Sequence, residues 1–299
     1  MKLKEIRNDD NIKQVPSLIK WTGSKRSQAR KISKFFPEFK RYFEPFLGGG
    51  SVMYYASERS ADGCIASDLY APLIDLWVLI KKNPKIVIDN YSEQWKNLSA
   101  ELDSLYENKV SKKGVLPEYF YLVRDRFNKL QDPLDLNFIM RTCVNGIVRF
   151  NRLGEFNNSF HLSRKGMTPD NFSSIINQWS SRIQNIDFLS CDYEESISCA
   201  KKGDFVYLDP PYARSKNRYI DDLDINRFFD ALTKLNSRGV NWALSFDGSR
   251  GSKDLSYEVP KDLYKSKIMI LSGKSAVNKV LNGPVEDVHE SLYLNYSKD

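Results

Sequence analysis

Metal-binding and disulfide-forming residues are scarce in this 299-residue sequence. It has two histidines and four cysteines, and no two of the cysteines form a C-x-x-C pair. Zinc sites need clustered cysteine and histidine ligands, so we expect no metal. The thiols belong to Cys64, Cys143, Cys191 and Cys199, and we expect them to be reduced, as in cytoplasmic proteins.

Long apolar runs are also lacking. No stretch approaches the ~18 apolar residues of a transmembrane helix, and no N-terminal segment resembles a signal peptide. The content of 41% hydrophobic and 28% charged residues is ordinary for a globular protein. We therefore expect a cytoplasmic protein with no membrane segment.

Acidic residues are outnumbered, 38 against 45 lysines and arginines, which gives a net charge of +7. The excess is local, because Glu38 is the single acid between Pro16 and Arg41. This cluster is typical either of a solvated helix face or of a surface that binds a polyanion, and charge alone does not decide between them. Its basic members are Lys20, Lys25, Arg26, Arg30, Lys31, Lys34, Lys40 and Arg41.

Strands and helices alternate at both ends of the chain, which predicts an α/β fold with a doubly wound, Rossmann-like sheet and helices on both faces. Residues 81–185 interrupt this pattern with long polar helical stretches. We interpret them as an inserted, mostly helical lobe, which leaves 1–80 and 186–299 as one discontinuous domain. A mobile loop is predicted at 272–284. The predicted strands are 42–47, 64–67, 188–191, 205–208, 241–246, 267–271 and 291–295, and the predicted helices include 25–36, 51–58, 69–80 and 118–130.

The stretch Asp209-Pro210-Pro211-Tyr212 follows the apolar run 205–208. A carboxylate accepts hydrogen bonds from an exocyclic NH2 group, proline carbonyls stay free as acceptors, and tyrosine offers a face for a stacked base. These four residues predict methylation of a base amine by positioning and electrostatics, without a metal or a covalent intermediate. The alternative is a rigid turn between a strand and a loop.

A site for the methyl donor is predicted after the first strand, at Phe46-Leu47-Gly48-Gly49-Gly50. Glycines allow the backbone to pass close to a nucleoside, and Asp68, at the end of the second strand, can bind ribose hydroxyls. The alternative for Asp68 is a helix N-cap. Met53 breaks the G-x-G-x-x-G spacing, which favours S-adenosylmethionine over a dinucleotide.

Trp21 and Lys25 are further candidates for the donor site. The indole can contact a sulfonium by cation–π attraction, and the ammonium can pair with the carboxylate of the donor. The alternative for Trp21 is an ordinary core aromatic.

Several motifs in order resemble the Dam-like, D12-class DNA N6-adenine methyltransferases of group alpha, a family that includes EcoRV-type modification methylases and phage Dam enzymes. The resemblance implies donor contacts at Trp21, Lys25, Asp68 and Asp209, and a contact between Asp192 and the adenine of the donor. The matching residues are 20–25, 43–52, 66–68, 126–128, 145–146, 149–151, 154–157 and 209–212.

The same resemblance implies a flipped adenine in duplex DNA as the substrate and places target recognition in the lobe. Lys20, Asn145, Arg149, Asn151 and Arg152 are the predicted DNA contacts. Arginine can bind guanine edges and asparagine adenine edges, but phosphate binding by the two arginines is an equal alternative. We expect a monomer, bacterial or phage-encoded, with a restriction endonuclease as a functional partner.

Two further functions stay open at this point. One is a methylase-like DNA-binding regulator without turnover, and the other is cytosine-N4 methylation, for which a serine would be expected in place of Asp209. Methylation of a ring carbon is disfavoured because no cysteine lies near residues 209–212. Val144 and Asn158 depart from the GATC-methylating pattern, so the target sequence is not predicted.

Overall fold

Eight strands form one sheet in the computed structural model, which describes residues 15–107, 116–162, 164–211, 223–250, 253–254, 258–274 and 287–297. The strands are β1 (Tyr42–Glu44), β2 (Cys64–Asp68), β3 (Ile186–Ser190), β4 (Phe205–Leu208), β5 (Asn241–Arg250), β6 (Lys253–Asp254), β7 (Ser266–Lys274) and β8 (Asp287–Leu294). Their order is β3-β2-β1-β4-β5-β8-β7, with β6 paired to β5. Neighbours from β3 to β5 are parallel, and β8 is antiparallel to both β5 and β7.

Helices cover both faces of this sheet because side chains alternate along each strand. The helices are α1 (Ala29–Ser33), α2 (Met53–Ala56), α3 (Ala71–Lys82), α4 (Pro84–Glu107), α5 (Glu118–Leu130), α6 (Pro133–Thr142), α7 (Pro169–Arg182), α8 (Tyr193–Ser196) and α9 (Ile225–Ser237). Tyr42 and Phe205 face a core that includes α1, α2 and α3, whereas Phe43 and Val206 face a second core with α8 and α9. The predicted Rossmann-like sheet is therefore confirmed.

Helices α4 to α7 occupy the segment in which a helical lobe is predicted. Their buried side chains, such as Tyr91, Phe120 and Phe138, belong to the same continuous core as Tyr42 and Ala66 of the sheet. The division into a domain of 1–80 and 186–299 and a domain of 81–185 stays a prediction. Among the described residues, no helix has both the length and the apolar character to cross a membrane.

Several boundaries differ from the sequence prediction. Strand β1 ends at Glu44 instead of residue 47, because Pro45 has no N–H for the ladder. The predicted helix 25–36 is reduced to Ala29–Ser33. The predicted loop at 272–284 is wrong for its first three residues, which pair with β8 as part of β7. Residues 275–284 lie outside the described residues, and α9 was not predicted.

The order of the strands fixes the place of a site. Strands β1 and β4 are adjacent, and the chain leaves β1 toward β2 on one side and β4 toward β5 on the other. Ligands of doubly wound sheets bind at such a switch point, outside the carboxyl ends of the strands. The segments that follow β1 and β4 are the glycine turn and Asp209-Pro210-Pro211.

Candidate active site

A cavity of about 730 Å³ lies at this switch point. Its volume is in the range typical of small-molecule sites. It is lined by the segments after β1, β2, β3 and β4, so residues far apart in the chain meet there. All the predicted donor-site residues are on its wall, namely Trp21, Lys25, Phe46, Gly48, Gly50, Asp68, Asp192 and Asp209, together with Pro210 and Pro211.

The turn after β1 requires glycine at two positions. Gly48 and Gly50 have φ angles of +46° and +61°, which L side chains rarely adopt. A Cβ atom on Gly48 would lie 2.8 Å from Cδ1 of Trp21, and one on Gly50 would lie 2.9 Å from Cζ2 of Trp77. The indole N–H of Trp77 donates to the Gly48 carbonyl oxygen over 3.2 Å. The turn is thus packed between two tryptophans with no space for a side chain.

Asp68 closes this turn from the neighbouring strand. Its Oδ2 accepts the Gly48 N–H at 2.9 Å, and its Oδ1 accepts the Tyr70 N–H at 3.1 Å. Burial raises the pKa of Asp68, and these backbone hydrogen bonds oppose the shift. Helix α3 has Tyr70 and not Asp68 at its cap position, so the N-cap alternative is not what the structure shows. Asp68 instead holds the glycine turn.

Lys25 and Asp209 form a close ion pair. The Lys25 Nζ lies 2.8 Å from Oδ1 of Asp209, and the side chains are 4% and 17% exposed. Burial raises the pKa of Asp209 to about 6, although the Lys25 charge and hydrogen bond act in the opposite direction. The predicted contact of Lys25 with the donor stays a prediction, and its partner in the structure is the predicted catalytic carboxylate. Tyr212 lies outside the described residues.

Glu44 is a site residue that was not predicted. It lines the cavity at the end of β1 and is 3% exposed. The hydroxyl of Tyr42 donates to its Oε2 over 2.5 Å. Burial raises the pKa of Glu44 to about 8; the hydrogen bond from Tyr42 opposes this shift, and the charge of Asp209 adds to it. A single acid inside the apolar strand 42–47 was the available signal.

Asp192 follows β3 and has two structural tasks. Its side chain accepts the Glu194 N–H at 2.9 Å as the N-cap of α8. Its Oδ1 also pairs with Arg227 Nη2 at 2.6 Å, and Arg227 extends to Glu194 at 2.8 Å. Arg227 lines the cavity but comes from α9, and no local pattern in the sequence pointed to it. The predicted contact of Asp192 with the adenine of the donor stays a prediction.

The five predicted DNA contacts lie outside the cavity wall, on segments that border it. Val148 and Phe150, on either side of Arg149, line the cavity. Asn145 is exposed in a turn with a φ angle of +57°, and the Lys20 side chain packs against Gly146 of that turn. The residues predicted to bind DNA therefore sit next to the donor-site candidates.

Arg149 and Asn151 also stabilise the loop that carries them. Arg149 Nε donates to Asn157 Oδ1 over 2.9 Å. Asn151 Oδ1 accepts the N–H groups of Leu153 and Glu155, at 2.9 and 3.0 Å. Arg152 is exposed. The DNA-binding roles of these residues stay predictions.

Asn158, a departure from the family pattern, proves to be structural. It is 8% exposed, and its Nδ2 donates to the carbonyl oxygens of Val144 and Ile147, at 3.0 and 2.8 Å. One side chain thus closes the turn that presents Asn145. Two further contacts join this region to the segment before α1: Thr22 Oγ1 donates to the Val148 carbonyl oxygen over 3.0 Å, and buried Arg141 donates to the Leu18 carbonyl.

Comparison with known proteins agrees with this site. Residues 21–277 match the model of the D12 class N6 adenine-specific DNA methyltransferases. The chain is 29% identical over 257 residues to Type II methyltransferase M.MjaIII of Methanocaldococcus jannaschii, covering 78% of this chain and 84% of that protein. It is 27% identical over 261 residues to Type II methyltransferase M1.LlaDCHI of Lactococcus lactis, covering 83% and 86%.

A third relative is the DNA adenine methylase of Serratia marcescens, with 28% identity over 206 residues and 68% of each chain covered. The family match spans most of the sequence and includes the glycine turn, Asp68, residues 145–152 and Asp209. The predicted adenine-specific DNA methyltransferase activity is therefore confirmed at the level of the family, and membership of that family implies S-adenosylmethionine and DNA as partners. This chain belongs to the D12 class N6 adenine-specific DNA methyltransferases.

Proposed function

We propose that this enzyme transfers a methyl group to N6 of an adenine at a specific site in duplex DNA, with Asp209 as the residue that binds and orients the amine. The observation that supports this most is the position of Asp209. Its carboxylate opens into the same cavity as the glycine turn and Asp68, at the switch point between β1 and β4.

The residues of the cavity fit S-adenosylmethionine. Each oxygen of Asp68 accepts one backbone N–H, and a carboxylate has about four acceptor sites, so acceptors remain for two ribose hydroxyls. The ring of Phe46 lies 5.3 Å from that of Tyr193 and forms an aromatic wall for a purine. Gly48 has no side chain, so its backbone lines the cavity directly. When bound, S-adenosylmethionine supplies an electrophilic methyl group.

The residues of this chain then have three tasks. Asp209 and the carbonyl of Pro210 accept hydrogen bonds from the exocyclic amine and aim its lone pair, which is catalysis by orientation and fixed charges. Lys25 keeps Asp209 ionised near neutral pH. The adenine must leave the duplex to reach this cavity, and Tyr212 would stack against it.

Target recognition belongs, in this proposal, to the segment from Asn145 to Arg152, in which Asn145, Arg149 and Arg152 are exposed. Val148 and Phe150 of the same segment line the cavity, so DNA bound to the exposed residues would lie close to the cavity mouth. Arg149 and Arg152 would contact either base edges or phosphates. We also propose that the enzyme acts as a monomer, in the cytoplasm, and that a restriction endonuclease is its functional partner.

Product analysis tests this proposal. The protein is incubated with labelled S-adenosylmethionine and duplex DNA of mixed sequence, and the nucleosides are separated. We expect label in N6-methyladenine, and single-molecule sequencing of plasmid DNA from expressing cells should place it in one sequence context. Label in N4-methylcytosine would support the cytosine alternative. DNA that stays unlabelled, with protein that binds the donor, would support the methylase-like DNA-binding regulator.

A further inference from the structure

Glu290 brings a second carboxylate to the ion pair of Lys25 and Asp209 from β8, which lies two strands away from β4 in the sheet. It lies in β8, beyond residues 21–277 that match the family model. Its side chain is 19% exposed, and its Oε2 atom is buried. No hydrogen-bond donor within the described residues reaches that oxygen. A buried carboxylate oxygen without a donor is costly, so its position calls for a reason.

Within the part of the chain that the structure describes, the cation nearest to this oxygen is Lys25. The Lys25 Nζ lies 3.6 Å from Glu290 Oε2, 2.8 Å from Asp209 Oδ1 and 3.4 Å from the Gly23 carbonyl oxygen. One buried ammonium therefore stands between two carboxylates that come from β8 and from the end of β4. Its distance to Glu290 is that of an ion pair and not of a hydrogen bond.

This arrangement has a consequence for Asp209. An ammonium paired with a single carboxylate is free to centre between both oxygens, and would then compete with the amine of the substrate for them. The attraction of Glu290 draws the ammonium to one side, where it engages Oδ1 of Asp209. Oδ2 is then the oxygen through which Asp209 can accept an N–H of the target amine.

We propose that Glu290 is a positioning residue, which anchors the Lys25 ammonium so that Asp209 keeps one oxygen for the target amine. The proposal rests on the proposed function of Asp209. Glu290 acts through Lys25 and touches neither substrate nor donor.

The charges around Asp209 give this role a signature in the pH profile. Lys25 lowers the pKa of Asp209, Glu290 raises it, and Glu44 and Tyr207 also face this carboxylate. Loss of the Glu290 charge should therefore lower the pKa of Asp209 and strengthen its pairing with Lys25. A fall in kcat together with this shift marks a positioning role, because loss of the charge alone would move the acid limb and leave the plateau value of kcat unchanged.

The test compares Glu290→Gln with Glu258→Gln, the same chemical change at an exposed glutamate. For Glu290→Gln we expect kcat to fall on the order of tenfold, the acid limb of the kcat profile to move to lower pH, and KM for S-adenosylmethionine to change by less than about twofold. Glu258→Gln should match the wild-type protein. A folded Glu290→Gln protein with wild-type kcat or an unmoved acid limb would overturn the inference.

Glu290→Asp decides the matter if Glu290→Gln gives no cooperative melt. The aspartate keeps the negative charge but holds it further from Lys25, because its side chain is one methylene shorter. We therefore expect a lowered kcat, with the acid limb of the kcat profile near that of the wild type. An unchanged kcat would overturn the inference. Asp209→Asn distinguishes a failure of this inference from a failure of the proposed function. If Asp209→Asn is inactive while the Glu290 variants behave as the wild type, the function of Asp209 stands and only the role of Glu290 fails.

Discussion

At the scale of single residues, the environment of Asp209 determines when it can act. Burial raises the pKa of Asp209 from its ordinary value of 3.8 to about 6. In its proposed role the group accepts hydrogen bonds from the amine as a carboxylate, and it takes up a proton as the pH falls through about 6. The rate of methyl transfer should therefore fall by about tenfold per pH unit below that value. The rate is measured in single-turnover assays at saturating DNA, at pH values on both sides of 6. A rate that stays constant well below pH 6 would show that the ionised carboxylate is not required.

Three of the residues predicted from the sequence share one property. Gly48, Asp68 and Asp209 lie at or shortly after the carboxyl ends of apolar strands, so a local pattern identifies them and the parallel sheet brings them together. Arg227 and Glu290 have no such signal. They reach the site through α9 and β8, and their partners Asp192 and Lys25 are distant in the chain, so only the folded structure pairs them.

Among the elements, the glycine turn after β1 makes a sharp prediction. Gly48→Ala adds a Cβ atom 2.8 Å from Trp21 at a φ angle of +46°, and the strain of that conformation is ~1–2 kcal/mol. We expect the affinity for S-adenosylmethionine to fall by at least about tenfold, which corresponds to ~1.4 kcal/mol. Isothermal titration calorimetry measures it.

Gly239→Ala is the matched control for this change. Gly239 has a φ angle of +66°, but its nearest neighbours would lie at ordinary contact distance, 3.7 Å from an added Cβ. It should lose stability and keep donor affinity. Equal donor affinity in both variants would show that the turn is not part of the donor site.

The turn that presents Asn145 makes a second prediction for an element. Asn158→Ala removes both hydrogen bonds to the carbonyls of Val144 and Ile147, each worth ~0.5–1.5 kcal/mol. We expect weaker discrimination between cognate and non-cognate DNA with unchanged affinity for S-adenosylmethionine, measured by competition binding. Ser159→Ala, at the exposed neighbouring position, is the control. Unaltered discrimination in Asn158→Ala would separate this turn from recognition.

The type of each element, helix or strand, was predicted better than the residues at which it begins and ends. The strands from 205 to 208 and from 241 were placed correctly because they are apolar and lie between clear turns. The residues 272–274 were misassigned because their Ser, Gly and Lys content is typical of a loop, whereas pairing with β8 keeps them extended. Partner strands are a tertiary influence that local composition does not contain.

At the scale of the whole molecule, one apolar core runs from the sheet into the helical segment. Trp179 of α7 packs against Trp77 of α3, with ring centroids 5.2 Å apart, and Arg141 ties α6 to the segment before Trp21. Because the parts share a core, we expect a single cooperative unfolding transition in scanning calorimetry. Two resolved transitions would show that the segment 81–185 is an independently stable domain.

The sequence predicted the helical insertion and the doubly wound sheet but not their common core. The change of pattern after Lys81 resembles a domain boundary, because long polar helices replace short strands. The apolar faces of those helices pack partly against α3. The apolar residues of α4 to α7 therefore extend the core that lies against the sheet. That sharing depends on long-range packing, which periodicity along the chain does not encode.

The most direct test of the central claim is methyl transfer by Asp209→Asn, measured in single turnover on DNA that contains the target site, together with binding of DNA and S-adenosylmethionine. The amide keeps the size of the side chain and loses the charge that we propose binds the amine. We predict that transfer falls by at least about a hundredfold while DNA binding stays within about threefold of the wild type. Near-normal transfer by this variant would contradict the account.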